Sequence, residues 1–318
     1  MSSAHTTNST AFMHNTRIGI DLGGTKIEAV AINAAGDIIC QNRISTPNTS
    51  YRAVLRALES LIQKLSQDAN LPASTPVGMG TPGAVSLKTG LMKNSNSTCL
   101  NGHDLRSDLE AALKRPVRIA NDADCFTLSE AIDGAGKTAP SVFGVILGTG
   151  VGGGITVNQQ LLGGINAIAG EWGHNPLPLD SLSRTCAFPF QKNRSCYCGK
   201  RNCIESWLSG PALADSYFEV TGDRLSAQEI AAKLSVDRQT QLTFDWYCEM
   251  TALALSQVIN IVDPHIIVVG GGISNIEGLY DGVQRYWQQY IFSDQTDTRL
   301  CKAIHGDAGG VRGAAWLW

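Results

Sequence analysis

Arg17-Ile18-Gly19-Ile20-Asp21-Leu22-Gly23-Gly24-Thr25-Lys26 joins a short apolar run to a pair of glycines, with one carboxylate at the junction. The run 17–21 predicts a strand, Leu22 to Thr25 a tight turn, and the alternation from Lys26 to Asn33 a second strand. Such a turn can cradle phosphate. Gly23 and Gly24 have no side chains to hold a ligand off the backbone, and consecutive amides make an anion-binding concavity. Asp21 at the strand end can hold a hydrated magnesium ion facing the same phosphates. Thr25 adds a hydroxyl, while Lys26 is either a cation for the phosphates or a solvated strand residue.

Outward from this unit, turn chemistry over 33–37 predicts a third strand from Ile38 to Ile44. Val54, Leu55, Leu58, Leu61, Ile62 and Leu65 recur at helical spacing within Tyr51 to Leu65. Strands follow at Pro76 to Gly80, ending in Thr81-Pro82-Gly83, and at Val117 to Ala120, with a helix from Asp122 to Ile132. Near Pro140 the pattern restarts: a strand from Ser141 to Leu147, a glycine-rich turn from Gly148 to Gly154, and a returning strand from Ile155 to Asn158. Two copies of one device predict two similar halves of an α/β chain. The expected division is a disordered polar extension over 1–16, an N-terminal α/β domain over 17–133 and a C-terminal one over 134–306, with a small-residue linker near Gly134-Ala135-Gly136-Lys137.

The chain has 318 residues, with 25 basic against 28 acidic residues and a net charge of -3, which argues against a broad basic face for nucleic acid. No apolar stretch reaches bilayer-spanning length and no basic-then-apolar leader opens the chain, so the expectation is a cytoplasmic protein without a membrane partner. Two motifs are decoys. Ala131 to Thr138 fits a loose phosphate-loop pattern, but a helix precedes it and Pro140 breaks any helix after it. Gly148, Gly150 and Gly153 fit a dinucleotide fingerprint, yet Gly154-Ile155-Thr156-Val157 reads as strand where a helix is required.

Cysteine spacing points to metal. Nine cysteines cannot all pair, and Cys196, Cys198 and Cys203 lie within eight positions around Gly199, close enough for three thiolates to wrap a tetrahedral zinc. Cys186 is the fourth ligand nearest in sequence. Asp122 stands after a strand and beside Asn121 at a helix start, where it suits either a general base or an N-cap.

In this order and spacing, Asp21 to Lys26, Asn121-Asp122-Ala123, Gly148-Thr149-Gly150, Glu171-Trp172-Gly173-His174, Cys196 to Glu205 and Val269-Gly270-Gly271-Gly272-Ile273-Ser274 resemble the ROK family of sugar kinases and sugar-responsive repressors. The resemblance runs from about Arg17 to Trp318. It implies a two-domain actin-like (ribonuclease H-like) ATPase fold closing on a cleft, with the terminal segment 307–318 rejoining the first domain. ATP and magnesium would be held by Asp21, Gly23, Gly24, Thr25, Lys26, Gly148, Thr149, Gly150, Gly152, Gly153 and the Gly270-Gly271-Gly272 run. Asp122 becomes the general base, and Asn121, Glu171, His174 and Glu205 the sugar-hydroxyl ligands, joined by Asn96 and the 80–83 turn. The family pattern gives the fourth zinc ligand as His174, whose second ring nitrogen would then donate to the sugar. Asn202 replaces the motif's usual glycine, a position where Asn tolerates left-handed backbone.

Lys93 to Thr98, Leu100-Asn101-Gly102 and the ending from Gly310 to Trp318 resemble the fructokinase (manno(fructo)kinase) subgroup, although Cys99 stands where that pattern has an aromatic residue. The expectation is therefore an ATP-dependent hexose kinase acting on the 6-hydroxyl of fructose or mannose. An N-acetylglucosamine kinase or a glucokinase is the alternative within the family, and a sugar-sensing repressor is the rival of another class. Asp122 and the lack of a helix-turn-helix before the first hairpin favour the kinase, and a homodimer is the common pattern of similar proteins.

Overall fold

The computed structural model describes residues 15–47, 50–95, 97–184 and 187–318. The expected N-terminal extension lies outside these residues apart from its last two, of which Thr16 is buried. The described chain divides into two compact units. The first takes residues up to Lys137 with Gln159–Ala169 and Asp307–Trp318, and the second takes Thr138–Asn158 and Gly170–Gly306.

In the first unit, strands β1 (Arg17–Leu22), β2 (Lys26–Ile32), β3 (Ile38–Ser45), β4 (Val77–Thr81) and β5 (Val117–Asn121) lie in the order β3-β2-β1-β4-β5. The hairpin pairs are antiparallel, and β1-β4 and β4-β5 are parallel. Helix α1 (Tyr51–Asp68) is capped by Ser50, whose side chain accepts from the Ala53 amide. Its buried residues Val54, Leu58, Leu61, Ile62 and Leu65 share a core cluster with Ile18 and Ile20 of β1.

Glycines let the C-terminal helix, Gly309–Ala315, lie directly on the same strands. A Cβ on Gly19 would stand 2.1 Å from the Val311 carbonyl oxygen, and one on Gly78 only 1.8 Å from that of Ala314. A third contact puts Gly313 against α3 (Asp122–Ile132), which follows α2 (Leu105–Leu113); a Cβ there would be 1.6 Å from the Cys125 carbonyl oxygen. The chain end finishes the clasp. Arg17 Nε donates to the Trp318 carbonyl at 2.8 Å, Trp318 Nε1 donates to Val77 at 2.9 Å, and the Arg118 guanidinium lies 3.9 Å over the Trp318 ring.

The second unit repeats the device. Its strands β6 (Ser141–Leu147) and β7 (Val151–Val157) form the hairpin, and β8 (Ile266–Gly270) and β9 (Arg299–Lys302) continue it in parallel. The returning strand begins at Val151, earlier than the sequence expectation, so Gly152, Gly153 and Gly154 belong to the strand and not to the turn. The reason is Trp172. A Cβ on Gly153 would be 2.7 Å from Trp172 Cδ1, and the indole nitrogen donates to the Gly152 carbonyl at 3.0 Å.

Helices α4 (Glu205–Leu208), α5 (Gly210–Thr221), α6 (Ala227–Lys233) and α7 (Arg238–Val262) enclose a core that includes the fully buried Trp207 and Tyr247. The described residues of 179–194 are pinned by two arginines. Arg184 pairs with Asp245 at 2.9 Å and with the buried Glu249 at 2.7 Å, and it stacks 4.0 Å over Trp246. Arg194 stacks 3.9 Å over Trp207 and pairs with Glu219 at 2.9 Å. Among the described residues, no helix is long and apolar enough to cross a membrane.

Candidate active site and metal centre

The carboxyl ends of three parallel strands gather the polar groups of the first unit, the edge where open α/β sheets place their ligands. Register sets Asp21 beside Gly80, Gly80 beside Ala120, and Thr81 beside Asn121. The Asp21 carboxyl is pushed up to about 6, first by burial and then by the Asp122 and Glu28 carboxylates, with Lys26 opposing. Two acids that repel each other in a desolvated corner make a natural seat for a divalent cation. Glu28 lies across the ladder from Asp21 and is 2% exposed, held by Gln41 and by Arg43 at 2.8 Å. Lys26 lies 3.7 Å from Glu28, so its ammonium is partly engaged and also acts on Asp21.

The capping duty that left Asp122 ambiguous falls on Asn121, whose Oδ1 accepts the Ala123 amide at 2.8 Å. Asp122 is the first helical residue, and its Oδ1 accepts the same amide at 2.8 Å. Asn121 Nδ2 donates to the Gly83 carbonyl at 3.2 Å, which ties the 81–83 turn to the end of β5 and leaves Asn121 one amide hydrogen for a ligand. Gly83 has φ of +83°, and a Cβ there would meet the Lys93 carbonyl oxygen at 2.5 Å. Asn96 lies outside the described residues.

The first glycine turn is braced from outside itself. Gly23 donates to the Lys26 carbonyl at 3.0 Å, and Thr46 clamps both sides, with its hydroxyl on Gly23 at 2.7 Å and its amide on Thr25 at 3.0 Å. The direction a Gly24 side chain would take is open, the nearest atom being Ser97 Oγ at 4.0 Å. A pocket of about 400 Å³ opens there, lined by Gly24, Thr25, Ser97, Cys99, Leu22 and Val54 among others.

The second turn borders a larger pocket of about 630 Å³. Gly148, Thr149 and Gly272, three of the residues expected to hold ATP, line it. Pro211, Ala214, Ala227, Gln228, Ala231 and Ile276 supply the rest of a mostly apolar slot, and sequence reasoning missed them. The signal available was Ser209-Gly210-Pro211, a helix start with cap and proline, and the small pair Ala227 and Ala231 at one-turn spacing. The N-terminus of α5 is not a phosphate cradle: Gly210 donates to Gly148 at 2.8 Å, Pro211 has no N–H, and Ala212 donates to Ser209 Oγ.

Several glycines assigned to ATP have other reasons to be glycine. Gly271, at φ +81°, lies under Leu147, where a Cβ would be 2.4 Å from the carbonyl oxygen. Gly152 and Gly153 accommodate Trp172, and Gly150 makes room for Glu205, whose Oε2 would be 2.7 Å from a Cβ there. That same Glu205 oxygen accepts the Val151 amide at 3.0 Å, so the expected sugar ligand also supports the hairpin. Gly270 ends β8, and neither it nor Gly271 lines the pocket. Glu171 is exposed and opens the short turn Trp172–His174, with Gly170 at φ +86° before it.

The metal set converges. One ligand atom from each of His174, Cys196, Cys198 and Cys203 lies within 4.8 Å of the others. His174 Nδ1 is 3.6 Å from Cys196 Sγ, and the Cys198 and Cys203 sulfurs are 3.6 Å apart. Ligands ~2.3 Å from one tetrahedral ion stand about 3.7 Å from each other, so these two pairs are already at coordination spacing. Burial pushes the Cys203 thiol up to about 12, whereas backbone donation from Lys200 lowers that of Cys198. A metal must displace these protons when it binds. Asn202 sits at φ +55° and Gly199 at +87°, so Asn202 does adopt the left-handed turn. Cys186 lies outside the described residues.

With this geometry in place, comparison with known proteins is informative. The ROK family model matches residues 17–318. An N-acetyl-D-glucosamine kinase of Salmonella typhimurium is 39% identical over 300 residues, spanning 94% of this chain and 98% of that protein. One from Photobacterium profundum is 38% identical over 304 residues with the same coverage. Among solved structures, a ROK hexokinase from Thermus thermophilus has a TM-score of 0.82 at 25% identity, covering 94% of this chain and 96% of that one. A ROK family glucokinase from Streptomyces griseus, in complex with glucose and AMPPNP, has a TM-score of 0.75 at 25% identity, covering 95% and 99%.

The broader expectation of a sugar kinase stands, and the fructokinase reading is less well supported than its N-acetylglucosamine kinase alternative, the activity these relatives carry. The sequence carriers of the fructokinase reading have packing duties. Asn101 clamps Ser95 through two bonds of 2.9 Å, and the final tryptophans fasten β1 and β4. Residues that hold the sheet and loop together need not report on the sugar. An α/β actin-like fold in two units and a full-length match to one family model lead to a single assignment: the chain belongs to the ROK family.

Proposed function

We propose that this ROK-family sugar kinase transfers the γ-phosphate of ATP to the 6-hydroxyl of N-acetyl-D-glucosamine. The observation that carries the acceptor is the full-length likeness to N-acetyl-D-glucosamine kinases. The chemistry rests on Asp122. A sugar hydroxyl is a poor nucleophile, so the protein must aim it, accept its proton and offset the charge on the phosphates. Asp122, at the sheet edge with its neighbour Asn121 doing the capping, accepts the proton as the O6–phosphorus bond forms and ADP departs. Asp21 would hold magnesium, which would supply positive charge to offset the phosphates.

The apolar slot of the second unit suits an adenosine, and the two glycine turns offer backbone amides for phosphate. His174, Cys196, Cys198 and Cys203 would hold a structural zinc, which fixes the orientation of the imidazole and, through the following residue Ile204, the start of α4 at Glu205. Glu171 and Glu205 offer acceptors to paired sugar hydroxyls. Incubation with ATP, magnesium and N-acetyl-D-glucosamine, followed by NMR of the product, tests the reading. The 6-phosphate is expected. Phosphate at another position, or no transfer to this sugar, would overturn it.

A further inference from the structure

We propose that Gln228 selects the nucleobase: its side-chain amide accepts from the exocyclic amine of adenine and donates to the adjoining ring nitrogen. The inference rests on the ATP-dependent kinase reading above and adds to it a residue that tells one purine from another.

The helix that carries Gln228 is fixed where it meets the slot of the second unit. Ser226 and Glu229 close a reciprocal cap at the start of α6: the Ser226 hydroxyl accepts the Glu229 amide at 3.3 Å, and Glu229 Oε2 accepts the Ser226 amide at 2.7 Å. Ala227, Gln228 and Ala231 then line the slot together, since residues three and four apart share a helix face. The alanines leave a smooth apolar wall, and Gln228 sets a polar group beside it. Gly272 lines the same slot, and a Cβ there would stand 4.0 Å from Gln228 Nε2. A flat base resting on the bare backbone of Gly272 thus brings its edge to the amide.

The other polar side chains lining the slot have work elsewhere. Ser226 also donates its hydroxyl to Glu229 at 2.7 Å, and Asn275 Nδ2 donates to the Gly272 carbonyl at 3.4 Å. Thr149 stands in the glycine turn between β6 and β7, the phosphate end on the proposed function. No hydrogen bond among the described residues engages the Gln228 amide, so it offers an acceptor oxygen and a donor nitrogen side by side. Adenine asks for that combination. Its 6-amino group donates, and the ring nitrogens on either side of it, N1 and N7, accept, so a glutamine amide finds a matching pair along either edge. A purine without the amine leaves the amide oxygen unpaired, and a polar group left unpaired is what rejects an analogue.

A cycle between side chain and base isolates this contact. Wild type, Gln228→Ala and Gln228→Leu are each compared with ATP and with purine riboside triphosphate, which is ATP with hydrogen in place of the 6-amino group. Wild type should prefer ATP in kcat/KM by about 5–20-fold, the scale of the lost amide pair, and the preference should shrink at least about threefold in both variants. The KM for N-acetyl-D-glucosamine should stay within about twofold throughout. The same cycle on ADP and purine riboside diphosphate, read by calorimetry without sugar, should show the same coupling. A preference that shrinks less than about threefold in both variants would overturn the role of Gln228 while leaving the kinase reading intact. A wild type that phosphorylates no sugar, with the coupling still present in diphosphate binding, would overturn the kinase reading alone. A wild type that binds neither diphosphate would overturn both.

Discussion

The two glycine hairpins share a topology and differ in what stands behind them. The turn of β1 and β2 ends on Asp21 in a corner with Asp122 and Glu28, and Thr46 clamps it from the next strand. The turn of β6 and β7 is backed differently. It leans on Glu205, which accepts the Val151 amide, and opens on a slot of small and apolar residues. On the proposed function, one device serves charge and proton transfer and the other holds a flat nucleobase. The lesson is that the backbone motif supplies amides, and its neighbours decide which part of the reaction those amides serve.

The comparison is broken most easily at the chemistry. Asp122→Asn should lower kcat by about 10³-fold or more, since it removes the proton acceptor, while sugar affinity stays within about threefold. A variant that turns over at nearly the wild-type rate would remove Asp122 from the mechanism. The second hairpin should behave in the opposite way. Gly272 faces the slot with nothing nearer than Gln228 Nε2 at 4.0 Å, so Gly272→Val fills space meant for the nucleotide. A rise of about 10–100-fold in the KM for ATP is expected, with little change in kcat; an unaltered KM for ATP would dissociate the slot from the nucleotide.

The proposed zinc set sharpens the contrast, because Glu205, a proposed sugar ligand, follows Cys203 by two residues. Cys198→Ser should lose the metal and raise the sugar KM about tenfold, while the KM for ATP moves much less. Retention of one zinc per chain with full activity would contradict the ligand assignment.

The smallest effect concerns stability. The Asp21 carboxyl is pushed up to about 6 in the folded chain from its ordinary value of 3.8, so between these values the native state holds a proton that the unfolded chain has released. Its contribution to stability is therefore present below about pH 4 and lost as pH rises through 6. Without magnesium and nucleotide, Asp21→Asn should melt higher than wild type at pH 7.5, by an effect on the order of 2 kcal/mol, and the difference should vanish near pH 4. A lower melting temperature at pH 7.5 would mean that Asp21 is stabilising when ionised.

Local patterns made much of this legible. Glycines between alternating strands announced both hairpins, the cysteine spacing announced the metal set, and Asn202 took the left-handed turn because its side chain tolerates it. What stayed hidden depends on partners distant in sequence. Gly153 looked like part of a nucleotide turn, yet Trp172 is what needs its missing side chain. Pro211, Ala227 and Gln228 come from ordinary helix starts, and only packing brings them to one slot. Arg184 was an unremarkable loop residue until Glu249 appeared beneath it, 65 positions away. The terminal tryptophans were read as a subgroup marker, whereas their visible work is to fasten Arg17, Arg118 and Val77.

The central claim is an ATP-dependent sugar kinase whose acceptor is N-acetyl-D-glucosamine. The direct measurement is kcat/KM for N-acetyl-D-glucosamine, fructose, mannose and glucose under one set of conditions, with ATP and magnesium saturating. N-acetyl-D-glucosamine should give the largest value by at least about tenfold. A larger value for fructose or mannose would contradict the acceptor assignment, and no phosphorylation of any of the four would contradict the account as a whole.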